Sequence, residues 1–104
     1  MKIIVGKDGD KDCIYVGKIP DIYDDEDWKK SELLLQKVCD LIKAEFAVTK
    51  GSDESSFIIE GEEISIFMDD LMPIGIYSRN VSGNRIIEKI FHVLNQEASS
   101  LPSL

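Results

Sequence analysis

Two pairs of short β-rich runs, each joined by a tight turn, constrain the fold of this chain most strongly. KIIVG (residues 2–6) and CIYVG (residues 13–17) flank the polar turn KDGDKD. FIIE (residues 57–60) and EISIFM (residues 63–68) flank a two-residue Gly-Glu turn. Strands joined by so few residues pair antiparallel, so each pair predicts a hairpin.

Two amphipathic stripes predict helices. The first helix is expected from residue 24 or 25 to about residue 47, and its apolar residues recur at spacings of 3, 4 and 7: Trp28, Leu34, Leu35, Val38, Leu41, Ile42 and Phe46. The second follows NVSGN, in which Ser82 or Asn84 is expected to be the N-cap. Its apolar stripe consists of Ile86, Ile87, Ile90, Phe91 and Leu94. Between the second hairpin and this helix, IGIYSR (residues 74–79) predicts a further strand.

The predicted order is therefore β-β-α-β-β-β-α. Short hairpin connections indicate an α+β fold with a mostly antiparallel sheet of about five strands and two helices, with one helix or both packed on a face. At 104 residues, 43% of them apolar and 31% charged, the chain is expected to form a single domain over residues 1–104. Residues 97–104 are expected to fray.

Targeting signals and cysteine chemistry point to an ordinary intracellular protein. The N-terminal run lacks the features of a secretory signal, and no apolar stretch approaches the roughly 20 residues that span a bilayer, so we expect a cytoplasmic location without membrane binding. Cys13 and Cys39 belong to no CxxC or zinc-ligand spacing and are predicted to be buried free thiols.

The charge is unevenly distributed. The chain has a net charge of −8, and two acidic blocks contain no basic residue. The first comprises Asp21, Asp24, Asp25, Glu26 and Asp27, and the second comprises Asp53, Glu54, Glu60, Glu62, Glu63, Asp69 and Asp70. Surfaces of this sign repel phosphate backbones and anionic lipid, which argues against direct nucleic-acid binding and favours a basic protein partner.

Helix capping and metal binding are alternative explanations of the acidic residues. Asp24 or Asp25 can cap the first helix, and acids in a first turn interact favourably with the helix dipole. Asp8, Asp10 and Asp12 have the 1,3,5 spacing of a calcium loop, but Cys13 and Ile19 stand where that loop needs Gly and Glu. We favour a solvated turn there and expect neither a metal nor any other cofactor.

The sequence contains no recognisable set of catalytic residues. Asp69 and Asp70 have no basic residue near them in sequence, as a metal-dependent hydrolase centre would require. His92, the one histidine, is predicted to lie in the middle of the second helix, and no nucleophile stands in an elbow motif such as GxSxG. A structural role for His92 is therefore preferred. Neither GxGxxG nor GxxxxGK[ST] occurs. The protein is therefore not expected to be an enzyme.

Aromatic residues near the acidic blocks are candidate contacts for Lys and Arg side chains. These residues are Tyr15, Tyr23, Trp28, Phe67 and Tyr77. Some must be core residues, with Phe67 or Trp28 the best candidates. Tyr23 is the preferred contact residue because it lies in an extended connection before the first helix, where a ring beside carboxylates can make cation–π contacts.

Small size, acidity and acid-plus-aromatic clusters together make the chain similar in character to the small cytoplasmic immunity proteins that neutralise bacterial toxin domains, such as those of contact-dependent growth inhibition systems. The resemblance implies a basic toxin partner, in most cases a nuclease, whose cationic cleft the carboxylates occupy as a one-to-one complex. The predicted contact residues are Asp21, Tyr23, Asp24, Asp25, Asp27, Glu60, Glu62, Glu63, Asp69 and Asp70.

A different class of function remains open. The chain could be a small regulatory or adaptor module, including a homodimer, that binds through an apolar helix face or a sheet edge. MPIGIY (residues 72–77) is the candidate edge. Salt dependence separates the two hypotheses, because electrostatic capture weakens as salt rises.

Overall fold

The first predicted hairpin is present at the N-terminal end of the fold. The computed structural model describes residues 3–19, 21, 23–43, 53–68 and 71–97. Strand β1 (Ile3–Asp8) pairs antiparallel with β2 (Lys11–Val16). Gly9 has a φ of 65° in the two-residue turn, a conformation that glycine adopts without steric cost and that suits the twist of a tight hairpin.

The second hairpin forms with small differences from the predicted boundaries. Strand β3 (Asp53–Ile59) begins four residues earlier than expected, and β4 (Glu62–Met68) begins one residue earlier. The turn is Glu60-Gly61, and both residues have positive φ values of 48° and 82°. Ile59 pairs with Glu62, so the register places Glu60 in the turn and Glu62 in a strand.

Strand β5 (Ile74–Ser78) joins the two hairpins into one sheet of order β1-β2-β5-β4-β3, with every pairing antiparallel. The five strands and two helices confirm the predicted α+β fold and its element order. The expectation that residues 72–77 offer an open edge is wrong, because β5 is hydrogen-bonded on both sides. Among the described strands, β1 and β3 form the edges of the sheet.

Helix α1 (Asp25–Ile42) begins as predicted and ends early. Lys43 adopts the left-handed conformation with φ 58°, and its N–H bonds the carbonyls of Cys39 and Asp40. This C-cap ends the helix five residues before residue 47, the predicted end. Phe46 lies outside the described residues, as does the predicted frayed segment beyond Glu97.

Helix α2 (Asn84–Gln96) follows a 3₁₀ turn at Val81–Gly83, and its predicted capping is wrong. The N-cap is Gly83, which makes no side-chain cap hydrogen bond. The side-chain amide of Asn84 instead bonds to the β1–β2 turn: its Oδ1 accepts from the N–H of Asp12 at 2.9 Å, and its Nδ2 donates to the carbonyl of Asp10 at 3.0 Å. Asn84 therefore ties the helix to the β1–β2 turn.

The core lies between the two helices and one face of the sheet. Alternate residues of β4, Ile64, Ile66 and Met68, are fully buried there, as the two-residue period of a strand requires. The helices contribute most of the rest: Trp28, Leu34, Leu35, Val38, Cys39, Ile86, Ile87, Ile90 and Leu94. Among the described residues the helices cover only one face of the sheet, and we call the other face the open face. Neither helix is long and apolar enough to cross a membrane.

Candidate functional site

The first acidic block surrounds the N-terminus of α1, and three of its carboxylates accept hydrogen bonds from the backbone there. Asp24 is the N-cap, and its Oδ1 accepts from the N–H groups of Glu26 at 3.0 Å and Asp27 at 3.3 Å. Asp21 Oδ1 accepts from the N–H of Tyr23 at 2.9 Å. These bonds satisfy donors that have no partner within the helix and fix the connection that precedes it.

The carboxylate of Asp27, in the first turn of α1, also contacts the segment that precedes the helix. Its Oδ2 accepts from the N–H of Asp21 at 2.7 Å, and its Oδ1 lies 2.9 Å from Lys18 Nζ. The Asp21 N–H and then the Lys18 ammonium hold the pKa of Asp27 below its ordinary value, and Asp27 raises the pKa of Lys18. Asp27 is half-buried, so it contributes less to the outer surface than its neighbours.

Tyr23 projects from this block into solvent. Its side chain is 92% exposed, and Asp21, Asp24, Asp25 and Glu26 around it in sequence are exposed as well. The structure thus presents an aromatic side chain among exposed carboxylates on a backbone fixed by side-chain hydrogen bonds. We call Asp21, Tyr23, Asp24 and Asp25 the α1 acidic surface.

Two carboxylates of the second block, Glu60 and Glu62, face cationic side chains of α2. Glu60 Oε2 lies 2.9 Å from Lys89 Nζ, and this ammonium lowers the pKa of Glu60. Glu62 accepts from the hydroxyl of Ser82 at 2.9 Å and lies 3.8 Å from Arg85. Glu63 is exposed, whereas Asp69 and Asp70 lie outside the described residues.

The first block and the Glu60–Glu63 part of the second block lie at opposite ends of the sheet, whereas Asp53, which pairs with Met68, lies at the first block's end. Lys18, which contacts Asp27, follows β2 by two residues at the end where Val16 pairs with Ile74. Glu60 lies in the turn at the other end of the strands. Because β2 contains six residues, the ends are separated by roughly 20 Å. A small cationic cleft that contacts the first block therefore does not reach Glu60 and Glu62.

The open face of the sheet carries a pocket that sequence reasoning missed. A cavity of about 700 Å³ lies over β2, β4 and β5, with Tyr15, Phe67 and Tyr77 among the side chains that line it. Phe67 and Tyr77 meet edge to face with their ring centroids 5.6 Å apart. The alternation of Phe67 with the buried residues of β4 was the available signal, but it did not reveal which strands would lie beside β4.

Gly75 makes room for the aromatic floor of this pocket. It pairs with Tyr15 on one side and with Phe67 on the other. A Cβ atom on Gly75 would lie 2.3 Å from two carbons of the Phe67 ring, so the ring lies directly across the glycine. The absence of a side chain at this position therefore sets the position of the ring.

Arg79 lies beside the aromatic residues. Its guanidinium carbon is 5.3 Å from the Tyr77 ring centroid, and its Nε donates to the hydroxyl of Ser65 at 2.8 Å. Ser65 is also 2.8 Å from the hydroxyl of Ser56 on the neighbouring strand. This short polar row orients the guanidinium along the open face.

Within the part of the chain that the structure describes, the cysteines and the histidine lie apart from any set of catalytic partners. Cys13 and Cys39 are free and buried, as predicted, and burial raises the pKa of Cys39 to about 11. His92 is exposed on α2, 3.9 Å from Glu88. Among the described residues, no group of three or more His, Cys, Asp or Glu side chains is placed to hold a metal ion.

Comparisons of the chain with family models, with curated proteins and with solved structures find no match. The function must therefore be argued from the surfaces described above.

Proposed function

We propose that this protein is an acidic protein-binding module that neutralises a basic toxin domain, in particular a nuclease, by blocking its active-site cleft. The observation that supports the proposal is the 92% exposure of Tyr23 among carboxylates on a fixed backbone. Exposed aromatic residues are frequent binding hot spots, and carboxylates around them would attract and orient a cationic cleft. The proposal includes a cytoplasmic location, where the toxin would act.

The α1 acidic surface is the better candidate for the contact. Glu60 and Glu62 of the second block already face Lys89 and Arg85, so a partner would have to compete with these ion pairs. The exposed Asp21 and Asp24 lie at the N-terminus of α1, away from these α2 cations. The hydrogen bonds that Asp21 and Asp24 accept from the backbone also lower the entropy that binding would cost.

The mechanism follows from charge and shape. A nuclease cleft is built to bind phosphate, so carboxylates can occupy it in place of the nucleic-acid backbone. The net charge of −8 would accelerate the encounter at low salt. Tyr23 would then contact Arg or Lys side chains at the rim of the cleft through its ring face.

The test begins with capture from a native cell extract at low salt, with this protein as bait. The proposal requires a basic chain whose nuclease activity is blocked by added bait and whose association slows as salt rises. Asp25→Lys should then reduce the association rate at least tenfold at low salt, and Tyr23→Ala should accelerate dissociation. Glu88→Lys makes the same charge change at an exposed position on α2 and is the matched control. Equal effects of the two charge reversals would refute the assignment of the surface.

A second candidate function rests on the edge of the sheet. β1 pairs only with β2 among the described strands, and its Ile4 and Val5 are 44% and 48% exposed. Such an edge can add a strand from a partner or from a second copy. In that case the protein is an adaptor, and its association should change little with salt. A dimer mass in solution that Val5→Lys abolishes would favour this function over toxin neutralisation.

A further inference from the structure

Two aromatic rings of the pocket on the open face lie over glycines. Three consecutive carbons of the Phe67 ring lie 2.3, 2.3 and 3.0 Å from the place that a Cβ atom of Gly75 would occupy. An approach in the plane of the ring would leave the third carbon much farther away, so one face of the ring covers the glycine. Two carbons of the Tyr15 ring lie 3.3 and 3.8 Å from the corresponding place at Gly6. Phe67 therefore turns its other face away from the sheet, toward the cavity that it lines.

The lysines that line the pocket are matched by carboxylates. Lys7 forms an ion pair with Asp12, and Lys11 lies opposite Asp8 beside the β1–β2 turn. These four side chains sum to zero charge. The side of the pocket next to this turn therefore presents cations and carboxylates together rather than a surface of one sign.

The polar groups among the rings are also engaged within the protein. The guanidinium of Arg79 lies against the Tyr77 ring and donates from its Nε to the Ser65 hydroxyl. A hydrogen bond with the Cys13 side chain, together with partial burial, raises the pKa of Tyr15 to about 12. The Tyr15 hydroxyl consequently stays neutral near pH 7 and offers a neutral hydrogen-bonding group beside the rings.

We propose that this pocket binds an uncharged small molecule with a planar aromatic ring, which stacks on the outer face of Phe67. A volume of about 700 Å³ falls within the usual range of small-molecule sites, roughly 300–1,000 Å³. Stacked rings gain free energy beyond that of the apolar area that they bury. Phe67 is the stacking ring because Tyr77 already contacts both Arg79 and the edge of Phe67.

The ligand is uncharged because the charges of the pocket are already paired. A charged group that enters the pocket loses water, and only an unmatched opposite charge would compensate for that loss. The lysine and aspartate side chains at the β1–β2 turn attract and repel a ligand of either sign at the same time. An uncharged ring does not carry this cost.

This inference does not depend on toxin neutralisation. The α1 acidic surface belongs to the helix side of the molecule, whereas the pocket lies on the open face of the sheet. Each site can therefore fail its own test without affecting the other.

The test uses four probes that separate the ring from the charge. Indole-3-acetamide is uncharged, indole-3-acetate is an anion and tryptamine is a cation, and all three carry the same ring. Cyclohexylacetamide is uncharged but has no aromatic ring. Titrations near neutral pH are followed by amide shifts in ¹H–¹⁵N NMR spectra at about 0.15 M salt, where the charge of the whole chain is largely screened.

Indole-3-acetamide should bind at least fivefold more tightly than each of the other probes, with shifts centred on β2, β4 and β5. Equal or tighter binding of indole-3-acetate or tryptamine overturns the assignment of an uncharged ligand, and equal binding of cyclohexylacetamide overturns stacking. Absence of saturable binding by indole-3-acetamide at millimolar concentrations, or shifts confined to the helices, overturns the proposal as a whole. This ranking uses the native protein, so it does not depend on the folding of any variant.

Ring variants test the role of Phe67. Phe67→Leu removes the stacking ring but keeps an apolar side chain in β4, and it should weaken binding of indole-3-acetamide at least fivefold. Phe91→Leu makes the same change at a half-buried position on α2 and should have no effect. Fluorescence of Trp28, which is buried in the core, verifies that both variants fold. Equal affinities of the two variants overturn the role given to Phe67.

Discussion

Replacement of Gly75 by alanine should destabilise the protein through a single neighbour, the Phe67 ring. The new Cβ would lie 2.3 Å from two ring carbons, whereas carbon atoms in van der Waals contact are about 3.5–4.0 Å apart. The ring must therefore move by more than 1 Å, toward the open face. This movement breaks its edge-to-face contact with Tyr77, for which the ring centroids are now 5.6 Å apart.

The magnitude combines two opposing effects. Overpacking and the lost ring contact cost about 1–3 kcal/mol, while alanine in a strand interior gains about 0.5–1 kcal/mol over glycine. The expected net loss in the free energy of unfolding is about 1–2 kcal/mol. For a domain of this size that loss lowers Tm by roughly 4–16 °C.

Urea unfolding followed by the fluorescence of Trp28, the one tryptophan, measures this loss. The control is the same change in a Phe67→Ala background, where no ring opposes the new methyl group. There, Gly75→Ala should be neutral or stabilising by up to about 1 kcal/mol. If Gly75→Ala is equally destabilising with and without the ring, the steric explanation is refuted and the backbone of β5 must be the cause.

Three further predictions follow from contacts outside the pocket. Asn84→Ala removes both side-chain hydrogen bonds to the β1–β2 turn, so it should lower the free energy of unfolding by about 1–3 kcal/mol and accelerate amide exchange in that turn. Asn95→Ala makes the same change at an exposed position on the same helix and is the control. Asp27 has a lowered pKa, so its stabilising effect is complete above the ordinary carboxyl pKa and is lost as pH falls through the folded value. Asp27→Asn should therefore lose less stability than the native protein between about pH 5 and pH 2, and an unchanged acid profile would contradict this. Burial raises the pKa of Cys39 to about 11, so this thiol should stay unreactive toward iodoacetamide at pH 8 until urea unfolds the chain. Modification of the folded protein at the same rate as the unfolded protein would refute that expectation.

Local patterns in the sequence predicted the elements but not their arrangement. The β-rich run of β4 and the apolar stripe of α1 depend on residues close in sequence, so both elements were predicted. The place of β5 between the hairpins depends on pairing across the whole chain, such as that of Cys13 with Tyr77. The early end of α1 was missed because Lys43, rather than a glycine, takes the left-handed cap.

The same distinction applies to the candidate sites. Exposure of Tyr23 and capping by Asp24 are local features, and the sequence indicated both. The ion pair between Glu60 and Lys89 joins residues that are 29 positions apart, so no local sequence pattern indicated it. Asn84 was a candidate cap of its own helix, but its side-chain amide donates to the carbonyl of Asp10 in the β1–β2 turn instead.

The central position of β5 has a consequence for how the protein forms during synthesis. The two hairpins lie within residues 3–68 and can form as soon as their residues leave the ribosome, yet neither pairs with the other. Only when Ile74–Ser78 emerges can the two halves be joined, across pairings such as Val16 with Ile74. Until then the nascent chain presents the unpaired sides of β2 and β4, which are the templates that misfolding and aggregation use. A chain that stops before β5 should consequently be a substrate for chaperones or proteases rather than a smaller folded domain.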